Sequence, residues 1–157
     1  MDGALSVRPV ANGATHGYSQ IFRDGIVESV QALTLAGEQT RATLRVSTFE
    51  PHMAVFLRNV RTELALHNIT GDVTVMFSIL HADKARLLVP RAQWYDDVQT
   101  GDFDRKTLVI PDFLATADTS AELALKPVFD FIWQCAGHPR SLNYDANGQW
   151  VPIRDNL

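Results

Sequence analysis

The pair Asp24-Gly25 lies between two stretches that are rich in β-branched and aromatic residues, residues 18–23 and 26–35. Such a pair suits the positive φ angles of a type I′ turn, which joins neighbouring antiparallel strands by the shortest connection. The sequence therefore predicts a β-hairpin over residues 17–35. A chain that contains this hairpin contains antiparallel β-structure.

A first amphipathic helix is predicted after the hairpin and a third short strand, residues 41–47. Thr48 is expected to be the N-cap, with Glu50 and Pro51 in the first turn, and Gly71 supplies a left-handed terminus. The apolar positions recur at helical spacing and are expected to face the core; they are Met53, Phe56, Leu57, Val60, Leu64 and His67.

A second helix is predicted near the C-terminus. Thr119 and Glu122 form a capping-box pattern, Pro127 starts or kinks the helix, and Gly137 stops it. Its apolar stripe is the most regular in the chain and comprises Leu125, Val128, Phe129, Ile132, Trp133 and Ala136.

Further strands are predicted between and after the helices. Residues 73–80 are almost continuously apolar, which is typical of a central strand buried on both faces, and they turn into residues 85–89 as a hairpin. Residues 107–110 form a short strand that Pro111 closes, and residues 141–153 form a closing hairpin around Asn147-Gly148. The acidic stretch 91–106 is expected to be a surface loop.

This order of elements predicts an α+β fold, a mainly antiparallel sheet with two amphipathic helices packed against it. Residues 1–16 have no periodicity and are expected to be a flexible lead-in or linker remnant, whereas residues 17–157 are expected to form a single domain. No apolar stretch approaches the roughly 20 residues that a membrane helix needs. Together with the single cysteine, this favours a cytoplasmic protein without membrane contact.

Few patterns in the sequence are typical of metal binding or catalysis. Cys135 and His138 have a Cys-x-x-His spacing, but no second cysteine completes a zinc site, and a helix C-terminus disfavours a thiolate. Residues 143–148 resemble half of an EF-hand loop, yet Arg154 occupies the place of the bidentate glutamate, which favours a plain turn. The sequence therefore predicts no cofactor, no metal and no catalytic residue, and enzyme activity is not favoured.

An arginine-lined face is the candidate nucleic-acid site. The net charge of −4 lacks the field that steers most nucleic-acid binders, but arginines converging on one face could still contact phosphates. The candidate residues are Arg41, Arg45, Arg58 and Arg61.

Several segments together resemble one protein family. They are residues 18–30 (YSQIFRDGIVESV), the helix led by Glu50, residues 73–88, residues 125–130 (LKPVFD) and residues 136–145 (AGHPRSLNYD). They resemble the C-terminal half of bacterial Schlafen-type, AlbA-like proteins, which are labelled as DNA-binding, ATP-binding or helix-turn-helix regulators. The resemblance implies an accessory module, because those labels belong to an N-terminal domain that this chain does not contain.

The leading hypothesis is therefore a non-enzymatic accessory domain, for association or regulation, of a Schlafen-like nucleic-acid-acting protein. Its expected partner is another protein or the missing N-terminal domain, sheet-edge pairing is one route to association, and homo-oligomerisation is left open. Direct nucleic-acid binding through the arginine face is the alternative. A metal-dependent enzyme that uses the loop from Asp96 to Asp104 is the third hypothesis.

Overall fold

The computed structural model describes residues 3–9, 15–32, 42–90 and 99–154. The fold is α+β, as the sequence predicts, and the chain divides into two compact units, Met1–Thr34 and Leu35–Leu157. That residues 17–157 form a single domain stays a prediction. The elements in chain order are β1 (Gly3–Pro9), β2 (Thr15–Phe22), β3 (Val27–Gln31), β4 (Ala42–Arg45), α1 (Val46–Leu66), β5 (Val73–Leu80), a short 3-10 helix (Ala82–Lys84), β6 (Ala85–Val89), β7 (Gln99–Asp102), β8 (Thr107–Ala115) and α2 (Ala121–Cys135).

The first unit is an antiparallel sheet in the order β1-β2-β3, so the predicted hairpin is present as β2 and β3. Its turn differs from the prediction. Gly25 has a φ of +88°, but Asp24 does not have a positive φ, and the Asp24 carboxylate accepts a hydrogen bond from the Ile26 amide. The backbone bonds that join Phe22 with Gly25 and Ile26 make a three-residue loop ending in a left-handed glycine.

The N-terminal stretch also differs from the prediction of a flexible lead-in. Gly3–Pro9 form β1, which pairs with β2 from Gly3 opposite Phe22 onward. None of the residues of this unit whose burial is described, residues 3–7 and 16–32, is buried. Sequence periodicity did not indicate β1, because a strand without a buried face needs no apolar alternation.

The second unit holds the hydrophobic core of the described chain, built from α1, α2 and the inward faces of β4 to β8. One sheet has the order β4-β6-β7, in which β4 and β6 are parallel and β6 and β7 are antiparallel. The predicted hairpin of residues 73–88 is therefore wrong, since β5 pairs with β8 in a separate two-stranded sheet. Tertiary pairing, which sequence neighbours do not determine, decides this topology.

Helix α1 begins earlier than predicted, because β4 leads directly into it. Arg45 is the N-cap, and Thr48 donates a 3.2 Å hydrogen bond to the Arg45 carbonyl instead of capping the helix itself. The left-handed residue next to the end of the helix is Asn68, with a φ of 59°, whereas Gly71, with a φ of +132°, lies further along the chain. His67 is exposed and does not belong to the core.

Helix α2 follows the sequence prediction closely. The cap is Ser120, one residue after the expected Thr119, and its side chain accepts from the Leu123 amide. The whole predicted stripe is buried, and Gly137 ends the helix with a φ of +85°. Pro127 lies inside α2.

The predicted surface loop over residues 91–106 is partly structured, although residues 91–98 lie outside the described residues. Gln99–Asp102 form β7, and Phe103 is buried. A Cβ atom added at Gly101 would lie 2.1 Å from the Ala136 carbonyl oxygen, so this strand packs closely on the end of α2. The closing hairpin is reduced to one antiparallel bridge between Tyr144 and Trp150.

Candidate association surface

The two-stranded sheet of β5 and β8 has one face in the core and one in solvent. Residues at alternate positions of β5 point inward, up to the buried Ile79. The prediction that β5 is buried on both faces is therefore wrong. We call the solvent side the outer face; it comprises Thr74, Met76, Ser78 and Leu80 on β5 and Thr107, Val109 and Leu114 on β8.

Large apolar side chains dominate this outer face. Met76 is 74% exposed, Leu80 and Val109 are each 67% exposed, and Leu114 is 57% exposed. Single exposed apolar residues are ordinary, but contiguous ones on a sheet mark a contact surface. None of these seven residues is ionisable, but the exposed Asp112 lies beside them in β8, opposite Met76.

The strand β8 contains an irregularity that affects how this sheet can associate. Pro111 and Asp112 together lie opposite Met76, so β8 has one more residue than β5 there. A proline removes a backbone donor, and a bulge twists an edge away from regular pairing. These features disfavour strand addition at the edge of β8.

A second feature of the unit is a buried carboxyl group on α1. Glu50 is 1% exposed and accepts hydrogen bonds from Trp133 Nε1 at 2.6 Å, from Ser141 Oγ at 2.8 Å and from Asn143 Nδ2 at 2.8 Å. Burial raises the pKa of Glu50, the three donors lower it and the nearby carboxylate of Asp130 adds to the increase, with a net shift upward.

These contacts fasten the segment after α2 to both helices. Asp130 accepts from the Ser141 amide at 2.9 Å and also pairs with Lys126, while Asn143 Oδ1 accepts from the Ile153 amide at 2.6 Å. The Tyr144 hydroxyl donates to the Glu122 carbonyl, and burial raises the pKa of Tyr144. All these groups have partners inside the protein, which gives the cluster a structural role.

The four arginines proposed for nucleic acid are not assembled into one face by the described residues. Arg41 lies outside the described residues, and Arg45 is exposed at the N-cap of α1. Arg58 is 13 positions further along, about 20 Å at the helical rise, and pairs with Glu122. Arg61 donates to the Thr119 carbonyl at 2.7 Å and to that of Thr116 at 2.9 Å.

The surroundings of Cys135 and of the described acidic residues bear on the reactive-thiol and metal-site hypotheses. A shallow pocket of about 310 Å³ is lined by Asp104, Arg105, Phe131, Gln134 and Cys135, and burial raises the pKa of the Cys135 thiol, which disfavours the reactive thiolate. The described residues contain no cluster of three or more His, Cys, Asp or Glu side chains arranged for a metal ion.

The remaining acidic candidates divide between described and undescribed parts of the chain. Asp96 and Asp97 lie outside the described residues. Asp102 is 3.8 Å from Arg86, and Asp104 is 3.6 Å from Arg105. In the EF-hand-like stretch, the Asp145 carboxylate accepts from the amides of Asn147 and Gln149, which is the arrangement of a turn.

Two features of the site escaped the sequence analysis. Glu50 occupies the core-facing stripe with Met53 and Leu57, and this spacing was the available signal for a buried carboxyl group. The signal for the outer face was weaker: Thr74 and Ser78 alternate with large apolar residues along β5.

Comparisons with protein-family models, curated proteins and solved structures found no match to this chain. Within the described ranges, no helix combines the length and hydropathy that a membrane span requires.

Proposed function

We propose that this chain is a protein-association module whose docking surface is the outer face of the β5–β8 sheet and whose occupant is another β-sheet surface. The observation that carries the proposal is the exposure of Met76, Leu80, Val109 and Leu114 on one side of a two-stranded sheet. Removing such surface from water stabilises a complex by about 25 cal/mol for each Å² of apolar area.

Two properties of the sheet support this proposal. A two-stranded sheet is only marginally stable by itself, and here the inner face alone is anchored in the core. A second layer on the outer face would complete the sandwich that sheets of this kind form in proteins. The proline and bulge in β8 disfavour edge pairing at that strand.

The biological setting is a proposal that rests on the resemblance alone. We propose that the module serves as an accessory domain, cytoplasmic and without catalysis of its own, in a Schlafen-like bacterial protein that acts on nucleic acid. In that setting, association through the outer face brings the catalytic or DNA-binding parts of the assembly together.

Site-specific photo-cross-linking in the source cells tests the proposed function. p-Benzoylphenylalanine replaces Val109 on the outer face or, as the control, the exposed Glu63 on α1. We expect a protein adduct at position 109 and none at position 63, with the cross-linked peptide identified by mass spectrometry. Absence of an adduct at position 109 would overturn the proposal.

Direct nucleic-acid binding through Arg41, Arg45, Arg58 and Arg61 stays a prediction. The partners of Arg58 and Arg61 inside the protein do not favour it. Fluorescence anisotropy of labelled single-stranded and duplex oligonucleotides at low and physiological salt is the measurement, because phosphate-driven binding weakens steeply with salt.

A further inference from the structure

We infer that the occupant of the outer face is a second copy of this chain, packed face to face across a two-fold axis. This inference rests on the proposed function and names its partner. It depends on how large and small side chains are distributed over the two strands.

The large apolar side chains alternate between the two strands along the outer face. Leu114 on β8 lies opposite Thr74, and Val109 on β8 lies opposite Ser78. On β5, Leu80 lies opposite Thr107, and Met76 lies opposite the bulge. Each of the three paired rows therefore joins one large apolar residue to one small hydroxyl-bearing residue. The large residue is on β8 in two of these rows and on β5 in the third, and Met76 on β5 lies between the two β8 rows.

Such a pattern is complementary to itself. A two-fold axis that runs along the strands places β5 of one copy over β8 of the other. Val109 then faces Ser78 of the second copy, and Leu80 faces Thr107. Large side chains enter the spaces above small ones, as an isologous interface requires. None of the residues in the three paired rows is ionisable, so these rows meet without like-charge repulsion, whereas the exposed Asp112 lies in the row of Met76.

The dimensions of the sheet set the expected strength of the dimer. Two strands of eight to nine residues make a ribbon about 27 Å long and about 10 Å wide. The area of such a ribbon is well below the roughly 800 Å² for each partner that a stable interface buries. The dimer is therefore expected to be weak, with dissociation in the micromolar to millimolar range.

Sedimentation velocity of the full chain tests the inference over protein concentrations from about 10 μM to about 1 mM. We expect the average mass to rise with concentration toward that of a dimer. Met76→Lys and Val109→Lys should each weaken this association at least tenfold, because they place a buried charge at the contact. Leu66→Lys is the matched control, since Leu66 is 70% exposed and belongs to α1 rather than to the outer face.

The outcomes separate the inference from the proposed function. A constant monomer mass at all concentrations, or equal weakening by Leu66→Lys, overturns the second copy as occupant. The photo-cross-link at position 109 then decides whether the association function itself holds. An adduct to a different protein keeps the association function and overturns homotypic pairing, whereas no adduct overturns both.

Discussion

At the scale of single residues, Glu50 is the one acidic or basic residue that is fully buried among the described residues. Its carboxyl group is buried with three donors, and no cationic side chain is among its hydrogen-bond partners. Those donors lie 83, 91 and 93 positions away in the sequence. One side chain therefore ties the start of α1 to α2 and to the segment after α2.

Replacing Glu50 by alanine should lower the free energy of unfolding by about 3 kcal/mol or more, since three buried donors lose their acceptor. Chemical denaturation monitored by tryptophan fluorescence is the measurement. His52→Ala is the control on the same helix, because His52 is exposed and should change stability by less than about 0.5 kcal/mol. A loss of under 1 kcal/mol for Glu50→Ala would contradict the structural role of the carboxyl group.

The raised pKa of Glu50 gives a pH dependence with a definite sign. Above pH 4.5, its ordinary pKa, the unfolded chain releases this proton while the folded protein still holds it. The folded state then binds more protons, so the contribution of Glu50 to the free energy of unfolding falls as pH rises through this window. Subtracting the pH profile of Glu50→Gln from that of the natural protein isolates this contribution. A flat difference would show that the pKa of Glu50 is not shifted, and a difference that rises with pH would show a shift in the opposite direction.

At the scale of elements, the loop between β8 and α2 is held by α1. Arg61 donates to two carbonyl oxygens of this loop, whereas Arg58 pairs with Glu122 through a side chain that is 54% exposed. The two arginines are three positions apart on one helix and make different kinds of contact. They provide a matched comparison within one element.

Arg61→Ala should lower the free energy of unfolding by about 1–3 kcal/mol, since two partly buried hydrogen bonds are lost. Arg58→Ala should cost at most about 1 kcal/mol, because an exposed ion pair contributes little. Thermal denaturation of both variants provides the measurement. Equal losses, or a larger loss for Arg58→Ala, would mean that the loop is not anchored by Arg61.

The elements differ in how far their sequences determine them. The stripe and Gly137 of α2 indicate the helix correctly, because helical periodicity and a left-handed terminus are local properties. The almost continuous apolar run of β5 does not indicate which face is covered. Only its pairing with β8 alone, and the packing of one side on the core, determine that.

At the scale of the whole molecule, the hydrophobic core of the described residues lies in the second unit, Leu35–Leu157. None of residues 3–7 and 16–32, whose burial is described in the first unit, is buried. Stability should follow the core, since buried apolar area is the main favourable term in folding. The second unit should therefore fold without the first.

A chain reduced to residues 35–157 should keep a cooperative thermal transition with a Tm within about 5 °C of the full chain. Near-ultraviolet circular dichroism reports it, because the buried Trp133 lies in this unit. A peptide of residues 1–34 should lack a cooperative transition, as expected for strands without a buried face. Loss of cooperativity in the longer fragment would show that the first unit contributes to the core.

The sequence by itself determined the α+β class, the two helices, the hairpin of β2 and β3 and the buried stripe of α2. Each depends on residues a few positions apart, whose periodicity and turn chemistry act locally. The tertiary structure alone decided the parallel pairing of β4 with β6, the partners of Glu50 and the exposure of the outer face. These depend on contacts between distant segments, which form only when hydrophobic burial and hydrogen bonding of the whole unit are satisfied together.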